Sequence, residues 1–435
     1  MWSIPPSSSN EGFRPIYMKT IEGHNVKIFI DNIEESALAQ IKKLIDIDVF
    51  SDKKIRIMPD VHAGAGCVIG FTGNLGDKVI PNIVGVDIGC GMRVINIGRN
   101  DNIDFHAFND HILSNIPSGM HYREENKGFK PLVGEEIELY REGKELLKSL
   151  YCYRDLKNQD RIKKSLGTLG NGNHFIELDR DDYGDIYIVI HTGSRNLGKQ
   201  VAEIYQNKAI KHMTDGHDEL EEKIKKIIEE YKASDRRKEL QAVIKKIRWE
   251  NKPKEPKLPK DLCYLEGQDK EDYLHDMRIC QKWAVLNRKL IGKLLIKFFN
   301  DIDIKEEFET IHNYIGDDNI IRKGAISAYK GERCIIPLNM RDGALICIGK
   351  GNEDWNCSAC HGAGRIMSRS QAYEKISIKE FRDSMSDIYS ETINDFTRDE
   401  APMVYKPMEE IISNIGETVE IDKIIKPIFN FKSPE

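Results

Sequence analysis

Residues 166–205, LGTLGNGNHFIELDRDDYGDIYIVIHTGSRNLGKQVAEIY, indicate the architecture more clearly than any other stretch. Glycines lie toward both ends, and β-branched and aromatic residues lie between them. This pattern predicts a glycine-rich loop, a β-hairpin of about 174–179 with 185–190, a second glycine-containing loop and a helix. The turn DRDDYG supplies the reversal, because aspartate and glycine favour turns. The sequence therefore predicts a pair of strands followed directly by a helix within this one stretch.

Two histidines lie at the outer ends of this predicted hairpin. If the turn centres between Asp182 and Tyr183, His174 lies opposite His191. Directly opposed residues have Cβ atoms about 4.5–5.5 Å apart, so two imidazoles placed in this way can reach one metal ion or two adjacent ions. The same register would place Ile176 and Val189 on the face of the two histidines.

Residues 55–98 are rich in glycine and in short β-branched runs, which predicts strands joined by tight loops. Within VGVDIGCGM, Asp87 and Cys90 are three residues apart. A carboxylate and a thiolate at this spacing can converge on one ion, and a thiolate can bridge two ions. His312, in ETIHNYIG, would add another imidazole after a predicted helix.

A lone histidine is usually a surface or hydrogen-bonded core residue, and a lone cysteine is usually a small buried apolar residue. Here several of them lie beside glycine-rich turns, which favours a metal site. The soft donors suit zinc, cobalt or iron, whereas a phosphate substrate would favour magnesium or manganese. The cluster Cys357-x-x-Cys360 allows a different interpretation, a structural zinc site completed by Cys334 and Cys347.

The chain has 435 residues, of which 40% are hydrophobic and 31% are charged, with a net charge of −6. These are ordinary values for a globular protein, and the negative charge argues against a surface coated in nucleic acid. No run of eighteen apolar residues exists, so we expect no membrane span. Nine cysteines without a signal peptide predict a reducing, cytoplasmic location.

We expect an α+β fold: one large domain of mixed sheets with surrounding helices at 16–435, after a flexible lead-in at 1–15. Length alone would also allow two or three domains. Residues 218–260 show apolar residues at helical spacing twice, with a break near Ala233–Ser234, which predicts an inserted helical hairpin. Its residues 221–260 carry 14 Lys and Arg against 8 Asp and Glu, so the arm could guide RNA or simply be a solvated helix pair.

Seven motifs together resemble the RtcB family of RNA-splicing ligases, and they run in family order through most of the chain. They are MPDVHAGAG (58–66), GVDIGCGM (85–92), GNGNHFIEL (170–178), HTGSRNLG (191–198), HNY (312–314), RKGA (322–325) and HGAGRIMSR (361–369). Each motif alone is weak, but the combination is specific.

The resemblance implies a ligase that joins an RNA 3′-phosphate or 2′,3′-cyclic phosphate to a 5′-hydroxyl, using GTP and two Mn²⁺ ions. His361 would accept the guanylyl group. The implied metal ligands are Asp87, Cys90, His174, His191 and His312, with Cys90 bridging the two ions. The RNA partner would carry broken ends, as in tRNA halves or damaged RNA, and a helper protein could speed guanylylation.

The resemblance also implies which residues contact the nucleotide. They are Asn173, His174, Phe175, Ile176, Glu177, His312, Asn313, Pro337, Leu338, Asn339, Met340, Ala344, His361, Gly362, Ala363, Gly364, Tyr405 and Lys432. We expect Arg195 and Arg365 to clamp phosphate, because the guanidinium fork matches phosphate geometry.

The sequence departs from the family pattern at 337–347, PLNMRDGALIC, where Asn339 and Ala344 stand in places that often hold serine. Because this segment helps to hold the nucleotide, strict preference for guanine is left open. Two other functions also remain open: a metal-dependent phosphoesterase that opens cyclic phosphates without ligation, and a non-catalytic RNA-binding protein. A nucleotide-accepting histidine at position 361 separates the ligase from both.

Overall fold

The computed structural model describes residues 19–124, 127–214, 217–233, 237–250, 255–299 and 302–433. The predicted lead-in at 1–15 lies outside these residues. The strands are β1 (Lys19–Thr20), β2 (Val26–Ile28), β3 (Ile55–His62), β4 (Ile69–Asn74), β5 (Lys78–Val79), β6 (Gly91–Arg99), β7 (Phe175–Arg180), β8 (Asp185–Thr192), β9 (Leu265–Glu266), β10 (Glu306–Ile311), β11 (Asn313–Ile315), β12 (Ile320–Lys323), β13 (Ala325–Ser327), β14 (Arg333–Asn339), β15 (Gly343–Gly349), β16 (Ser358–Cys360) and β17 (Val419–Lys432).

Helices surround the sheets, as expected for the α+β class. They are α1 (Glu35–Ile45), α2 (Pro81–Val84), α3 (Phe105–Asn115), α4 (Glu135–Lys148), α5 (Gln159–Lys164), α6 (Asn196–His212), α7 (His217–Ala233), α8 (Arg237–Glu250), α9 (Gly267–Ile296), α10 (Arg369–Lys375), α11 (Ile378–Ser384) and α12 (Met408–Ile415). Short 3₁₀ turns include Asp395–Glu400 and Pro402–Val404. The described helices include none that is long and apolar enough to cross a membrane.

A seven-stranded sheet forms the centre, in the order β10-β6-β8-β7-β17-β15-β14. Its two edge strands, β10 and β14, also contact each other. The Ile335 amide of β14 donates to Thr310 Oγ1 of β10 (3.2 Å), and Arg333 pairs with Glu306 (2.8 Å). The sheet therefore curls until its edges meet. Edges that meet leave few unpaired backbone groups for an unwanted strand to join.

The curled sheet packs apolar side chains on both faces. Met92, Val94, Tyr187, Val189, Ile335, Ala344, Ile346 and Ile425 fill the inner side. The outer side carries Ile95, Ile176, Ile188 and Ile190, which join the main core with side chains of α9. Both faces are apolar because α9 covers the outer one, which explains the nearly continuous hydrophobic run DIYIVIHT in β8.

A second sheet of six strands has the order β1-β2-β3-β4-β12-β11. Within it β2 and β3 pair in parallel, and α1 makes the connection between them. This parallel pair is a small βαβ unit, which needs a helical crossover. The unit matters for function because β3 carries MPDVH into the centre of the molecule.

The β7–β8 hairpin forms, but its predicted register was wrong by one residue. Phe175, not His174, pairs with His191. The Asp181 carboxylate accepts hydrogen bonds from the Tyr183 and Asp185 amides (both 3.0 Å), which moves the turn centre onto Tyr183.

A shift of one residue changes which side chains share a face. Val189 now pairs with Glu177, and both lie on the side of His191, whereas Ile176 belongs to the outer core. Placing Ile176 with the histidines was therefore wrong. His174 lies just before β7, and its side chain turns toward His191 from the loop, with ring centroids 5.4 Å apart.

Within 218–260, helices α7 and α8 pack against each other through Leu220, Ile224 and Ile247. The break expected at Ala233–Ser234 matches the end of α7 at Ala233, and residues 234–236 lie outside the described part of the chain. The division of the chain into a lead-in, a main domain and an inserted arm stays a prediction.

Candidate metal centre and active site

The five predicted metal ligands lie at one end of the seven-stranded sheet. Asp87 and Cys90 lie in the loop before β6, His174 precedes β7, His191 belongs to β8, and His312 separates β10 from β11. Because β10, β6, β8 and β7 are neighbours, their ends bring these residues together. The His312 amide donates to the Cys90 carbonyl oxygen (3.0 Å), which joins the two loops directly.

The donor atoms form two overlapping groups. Cys90 Sγ lies 3.4 Å from His191 Nε2 and 3.6 Å from His174 Nε2, and His174 Nε2 lies 3.0 Å from Asp87 Oδ2. One group is Cys90, His191 and His312, and the other is Asp87, Cys90 and His174, each with donor atoms within 4.8 Å of one another. Cys90 belongs to both groups, so this arrangement suits two ions with a bridging thiolate.

Backbone carbonyls fix the orientation of the two imidazoles next to Cys90. His174 Nδ1 lies 3.0 Å from the Leu169 carbonyl oxygen, and His191 Nδ1 lies 3.1 Å from the Asn173 carbonyl oxygen. A carbonyl only accepts, so each Nδ1 carries a proton, which leaves Nε2 as the atom that can bind a metal ion. Metal-binding histidines usually have such a partner on the second nitrogen.

The electrostatics also fit a cation. Burial lowers the pKa of His191 and of His312 well below the ordinary value, so both rings are neutral at neutral pH, as ligands must be. Burial, followed by the nearby Asp87 charge, raises the pKa of the Cys90 thiol well above its usual range. An arriving ion must therefore displace the thiol proton.

Asp87 offers a carboxylate oxygen as a further ligand atom for a metal ion. Burial raises its pKa, but the hydrogen bond and charge of His174 outweigh that effect, so the net pKa is lowered and the side chain is a carboxylate. Its Oδ1 is buried and has no hydrogen-bond partner among the residues that the structure describes. Because a buried unpaired anion is costly, this oxygen fits a bound cation.

His361 follows β16 and lies beside the metal ligands, with its ring centroid 5.0 Å from that of His312. Its Nδ1 lies 2.6 Å from Asp60 Oδ2, and its amide donates to the same oxygen (3.0 Å). Asp60 is fully buried in β3. The carboxylate holds the proton on Nδ1, which leaves the Nε2 lone pair of His361 free to act as a nucleophile.

Close backbone approach makes the Asp60–His361 contact possible. Gly364 has φ of +75°, and a Cβ there would lie 2.4 Å from the Asp60 carbonyl oxygen. Asp60 was not recognised as a functional residue from the sequence. The available signal was an acidic residue between apolar residues in the strand segment IMPDV, where burial requires a partner.

These residues border a cavity of about 1220 Å³, which is large enough for a nucleotide and part of a second substrate. Most of the predicted nucleotide residues line it, namely Asn173, Phe175, Glu177, His312, Asn313, Pro337, Leu338, Asn339, Met340, His361, Gly362, Ala363, Gly364, Tyr405 and Lys432. Three predicted residues do not line it. Ile176 and Ala344 each lie in an apolar core on their strands, and His174 lies among the metal ligands.

The side chain of Asn339 was expected to contact the nucleotide, but its hydrogen bonds lie within a turn. Its Oδ1 accepts hydrogen bonds from the Arg341 and Asp342 amides (both 3.0 Å), and its Nδ2 donates to Asp342 Oδ2 (2.8 Å). The amide therefore stabilises the turn between β14 and β15, with both its oxygen and its nitrogen engaged inside that turn.

The buried carboxylate of Glu400 binds several residues that line the cavity. It accepts hydrogen bonds from Tyr405 Oη (2.7 Å), Arg365 Nη1 (3.2 Å) and Lys432 Nζ (3.3 Å). Sequence reasoning missed Glu400, because its partners are brought together only by the fold. Glu177 also faces the cavity, and burial raises its pKa to about 7.

The two predicted phosphate-binding arginines have different surroundings. Arg195 is packed under the metal ligands, with Nη1 3.3 Å from His174 Nδ1. Arg365 lines the cavity, but its guanidinium donates to Glu400, to the Asp399 carbonyl oxygen (2.7 Å) and to the Met367 carbonyl oxygen (3.1 Å). Phosphate binding by either residue stays a prediction.

The alternative zinc site is not supported. Cys334, Cys347 and Cys360 are buried in an apolar cluster, and Cys334 Sγ donates to the Cys347 carbonyl oxygen (3.8 Å). Within the described ranges, the groups of three or more potential ligands do not include any of these cysteines or Cys357. Cys334, Cys347 and Cys360 pack as small apolar residues.

Comparison with known proteins agrees with this geometry. The family model described as tRNA-splicing ligase RtcB matches residues 40–433. The RNA-splicing ligase RtcB of Escherichia coli K12 is 28% identical over 400 residues, covering 86% of this chain and 88% of that protein. The tRNA-splicing ligase RtcB of Nanoarchaeum equitans is 26% identical, covering 86% of each chain.

A eukaryotic relative extends the match. The RNA-splicing ligase RtcB homolog 2 of Entamoeba dispar is 25% identical, covering 86% of this chain and 78% of that protein. The matched range 40–433 contains the positions of all the predicted metal ligands and of Asp60 and His361. The chain therefore belongs to the RtcB family.

Proposed function

We propose that this RNA ligase of the RtcB family transfers GMP from GTP to His361 and then seals broken RNA with it. It would join a 3′-phosphate or 2′,3′-cyclic phosphate end to a 5′-hydroxyl end. The observation that carries the proposal is the contact of Asp60 Oδ2 with His361 Nδ1 (2.6 Å), next to the metal ligands. A phosphoesterase or an RNA-binding protein would need no histidine prepared in this way.

The first step is nucleotidyl transfer. His361 Nε2 attacks the α-phosphorus of GTP, a P–N bond forms, and the bond to the bridging oxygen breaks, so that pyrophosphate leaves. Asp60 holds the ring and balances the positive charge that the imidazole gains as its nitrogen is phosphorylated. The glycine-rich segment Gly362–Gly364 lines the cavity beside the ring, where backbone N–H groups can approach phosphate oxygens.

The proposed metal ligands are Asp87, Cys90, His174, His191 and His312, with Cys90 shared between two ions. We propose manganese, and the soft donors also allow zinc or cobalt. Bound divalent ions polarise phosphoryl oxygens and neutralise developing charge. The chain supplies neutral imidazoles and one unpaired carboxylate oxygen for them.

Two further steps would complete the reaction on a 3′-phosphate end. A 2′,3′-cyclic phosphate would first add water and break its P–O2′ bond, which gives the 3′-phosphate and a free 2′-hydroxyl. An oxygen of the RNA 3′-phosphate attacks the phosphorus of GMP on His361, and the P–N bond breaks to restore the imidazole. The 5′-hydroxyl of the second RNA end then attacks the activated 3′-phosphorus and releases its proton, and GMP leaves. Each transfer breaks one bond to phosphorus as another forms, so the same charged surroundings serve both.

Guanine as the base is supported by an acceptor in the wall of the cavity. Guanine presents adjacent N–H donors, and the carboxyl group of Glu177 lines the cavity. Tyr405 and Lys432 also line the cavity and are held by Glu400. The proposed substrates are tRNA halves or damaged RNA, and a helper protein is an additional proposed partner.

RNA joining tests the proposal. Two RNA strands, one ending in a 2′,3′-cyclic phosphate or 3′-phosphate and the other in a 5′-hydroxyl, are incubated with the protein, manganese and GTP. We expect a joined product from the wild type and none from His361→Ala. Conversion of the cyclic phosphate to a monophosphate, without joining and without need for GTP, would instead identify a phosphoesterase.

A further inference from the structure

The cavity is bordered on one side by exposed apolar side chains that the proposed chemistry does not use. Tyr373 on α10 is 40% exposed, Phe396 is 71% exposed, and Ile366 is 48% exposed. Single exposed apolar residues are common and need no explanation. These three differ because each lies on a segment that contributes to the wall of the cavity. Ile366 lines it, α10 supplies Arg369 and Ser370, and the turn that contains Phe396 ends at Glu400, which also lines it. We call the three exposed residues, together with Arg398, the aromatic rim.

Contacts join the aromatic rim to the cavity. Arg369, Ser370 and Glu374 of α10 line the cavity, and helical spacing places Tyr373 next to Arg369 and Ser370. The Tyr373 hydroxyl donates to the Phe396 carbonyl oxygen (3.1 Å). The backbone at Phe396 is therefore fastened to a helix that lines the cavity.

The rim also carries a cation. The Arg398 guanidinium lies 5.6 Å from the centroid of the Tyr373 ring. Its ion pair with Asp395 is 3.6 Å long, beyond hydrogen-bond length. An exposed aromatic ring with a neighbouring guanidinium is the combination that binds single-stranded nucleic acid, because bases stack on the ring and the cation attracts phosphate.

We propose that the aromatic rim stacks an unpaired nucleotide of the RNA strand whose 3′-phosphate end enters the cavity. The inference rests on the proposed ligase function and names where that substrate is held. The 3′-phosphate must reach His361 inside the cavity, so the RNA strand that precedes it has to leave the cavity through its opening. Stacking there tolerates any base sequence, because every base has a π-face.

Direct binding measurements test the aromatic rim. A short, fluorescent, single-stranded RNA ending in a 3′-phosphate is titrated with the protein and manganese, without GTP, so that no transfer occurs. Loss of one base–aromatic stack weakens Kd by about 5- to 150-fold, and we expect this for Phe396→Ala. Phe396→Leu should weaken binding similarly, and Phe396→Trp should restore it.

Tyr183 provides the matched control. It is 83% exposed at the tip of the β7–β8 hairpin, at the opposite end of the strands from His191. Tyr183→Ala removes an exposed ring of similar size and should leave the RNA Kd unchanged.

GMP labelling of His361 involves no RNA and reports whether each Phe396 variant is folded. In ligation assays, Phe396→Ala should raise KM for the 3′-phosphate strand more than it lowers kcat.

Several results would overturn the inference. RNA Kd values of Phe396→Ala or Phe396→Leu equal to the wild type would exclude stacking. Self-association of the wild type that Phe396→Ala abolishes, with unchanged RNA binding, would identify a protein contact instead. A wild type that binds RNA but never acquires GMP on His361 would contradict the proposed function, whereas RNA binding that ignores Phe396 contradicts only the rim.

Discussion

The two ends of the cavity are built differently. At the inner end, the metal ligands and His361 are buried or nearly so, and the oriented imidazoles of His174, His191 and His361 each have a second partner on a backbone carbonyl or a carboxylate. At the outer end, Tyr373 and Phe396 are exposed. Under the proposed function the two ends would have different roles: the inner end would fix atoms for bond transfer, and the outer end would hold the RNA strand.

Cys90→Ala should have the largest effect, because Cys90 belongs to both ligand groups. Losing several kcal/mol of charge stabilisation corresponds to about 10³-fold or more in rate. We expect the metal content measured by mass spectrometry to fall together with His361 labelling. Cys280→Ala, a buried cysteine of α9 outside the cluster, is the control and should keep its metal. Unchanged metal stoichiometry in Cys90→Ala would remove Cys90 from the ligands.

Asp60→Asn should rank second. It keeps the shape of the side chain but removes the charge that holds the Nδ1 proton of His361. Loss of such a positioning carboxylate lowers the rate by about 10²–10⁴-fold. The rate of GMP labelling measures this effect, and metal content should stay unchanged. A variant that labels at the wild-type rate would show that Asp60 serves only the fold.

Glu400→Gln tests the wall between the two ends. Glu400 is buried and accepts from Lys432, Arg365 and Tyr405. Breaking a buried ion pair costs about 3–5 kcal/mol, so the free energy of unfolding should fall by that order. Chemical denaturation measures it, and KM for GTP should rise because Lys432 and Tyr405 lose their anchor. Wild-type stability would mean that the ion pairs of Glu400 do not stabilise the fold.

Asn339→Ala should have the smallest effect. Its amide stabilises the β14–β15 turn, so we expect a loss of about 1 kcal/mol and only a slight change in GTP-over-ATP selectivity. Thermal unfolding and competition labelling measure the two quantities. Asn100, whose Oδ1 accepts the Asn102 amide in another turn, provides a control, Asn100→Ala. A selectivity change above about tenfold would mean that Asn339 contacts the base directly.

Local patterns in the sequence predicted the elements that carry the metal ligands. The β7–β8 hairpin was recognisable from its β-branched residues and turn, and Asp87 and Cys90 from their glycine-rich loop. The register was not predictable, because the Asp181 side chain decides where the turn closes. His174 still reaches His191, because it lies in a loop that the strand register does not constrain.

Contacts between residues far apart in the chain could not be predicted from the sequence. Asp60 and His361 are separated by 301 residues and meet only through the packing of β3 against the segment after β16. Glu400 and Lys432 meet because β17 closes the central sheet beside β7. A single sequence shows residue types and local spacing, but it does not show which distant strands become neighbours.

The most direct measurement is the site of covalent GMP. The protein is incubated with manganese and GTP labelled at the α-phosphate, and acid-labile label is mapped to a peptide by mass spectrometry. The account predicts GMP on His361 in the wild type and no label in His361→Ala, whose metal content should be retained. Label that persists in His361→Ala, or that maps to another residue, would contradict the central claim.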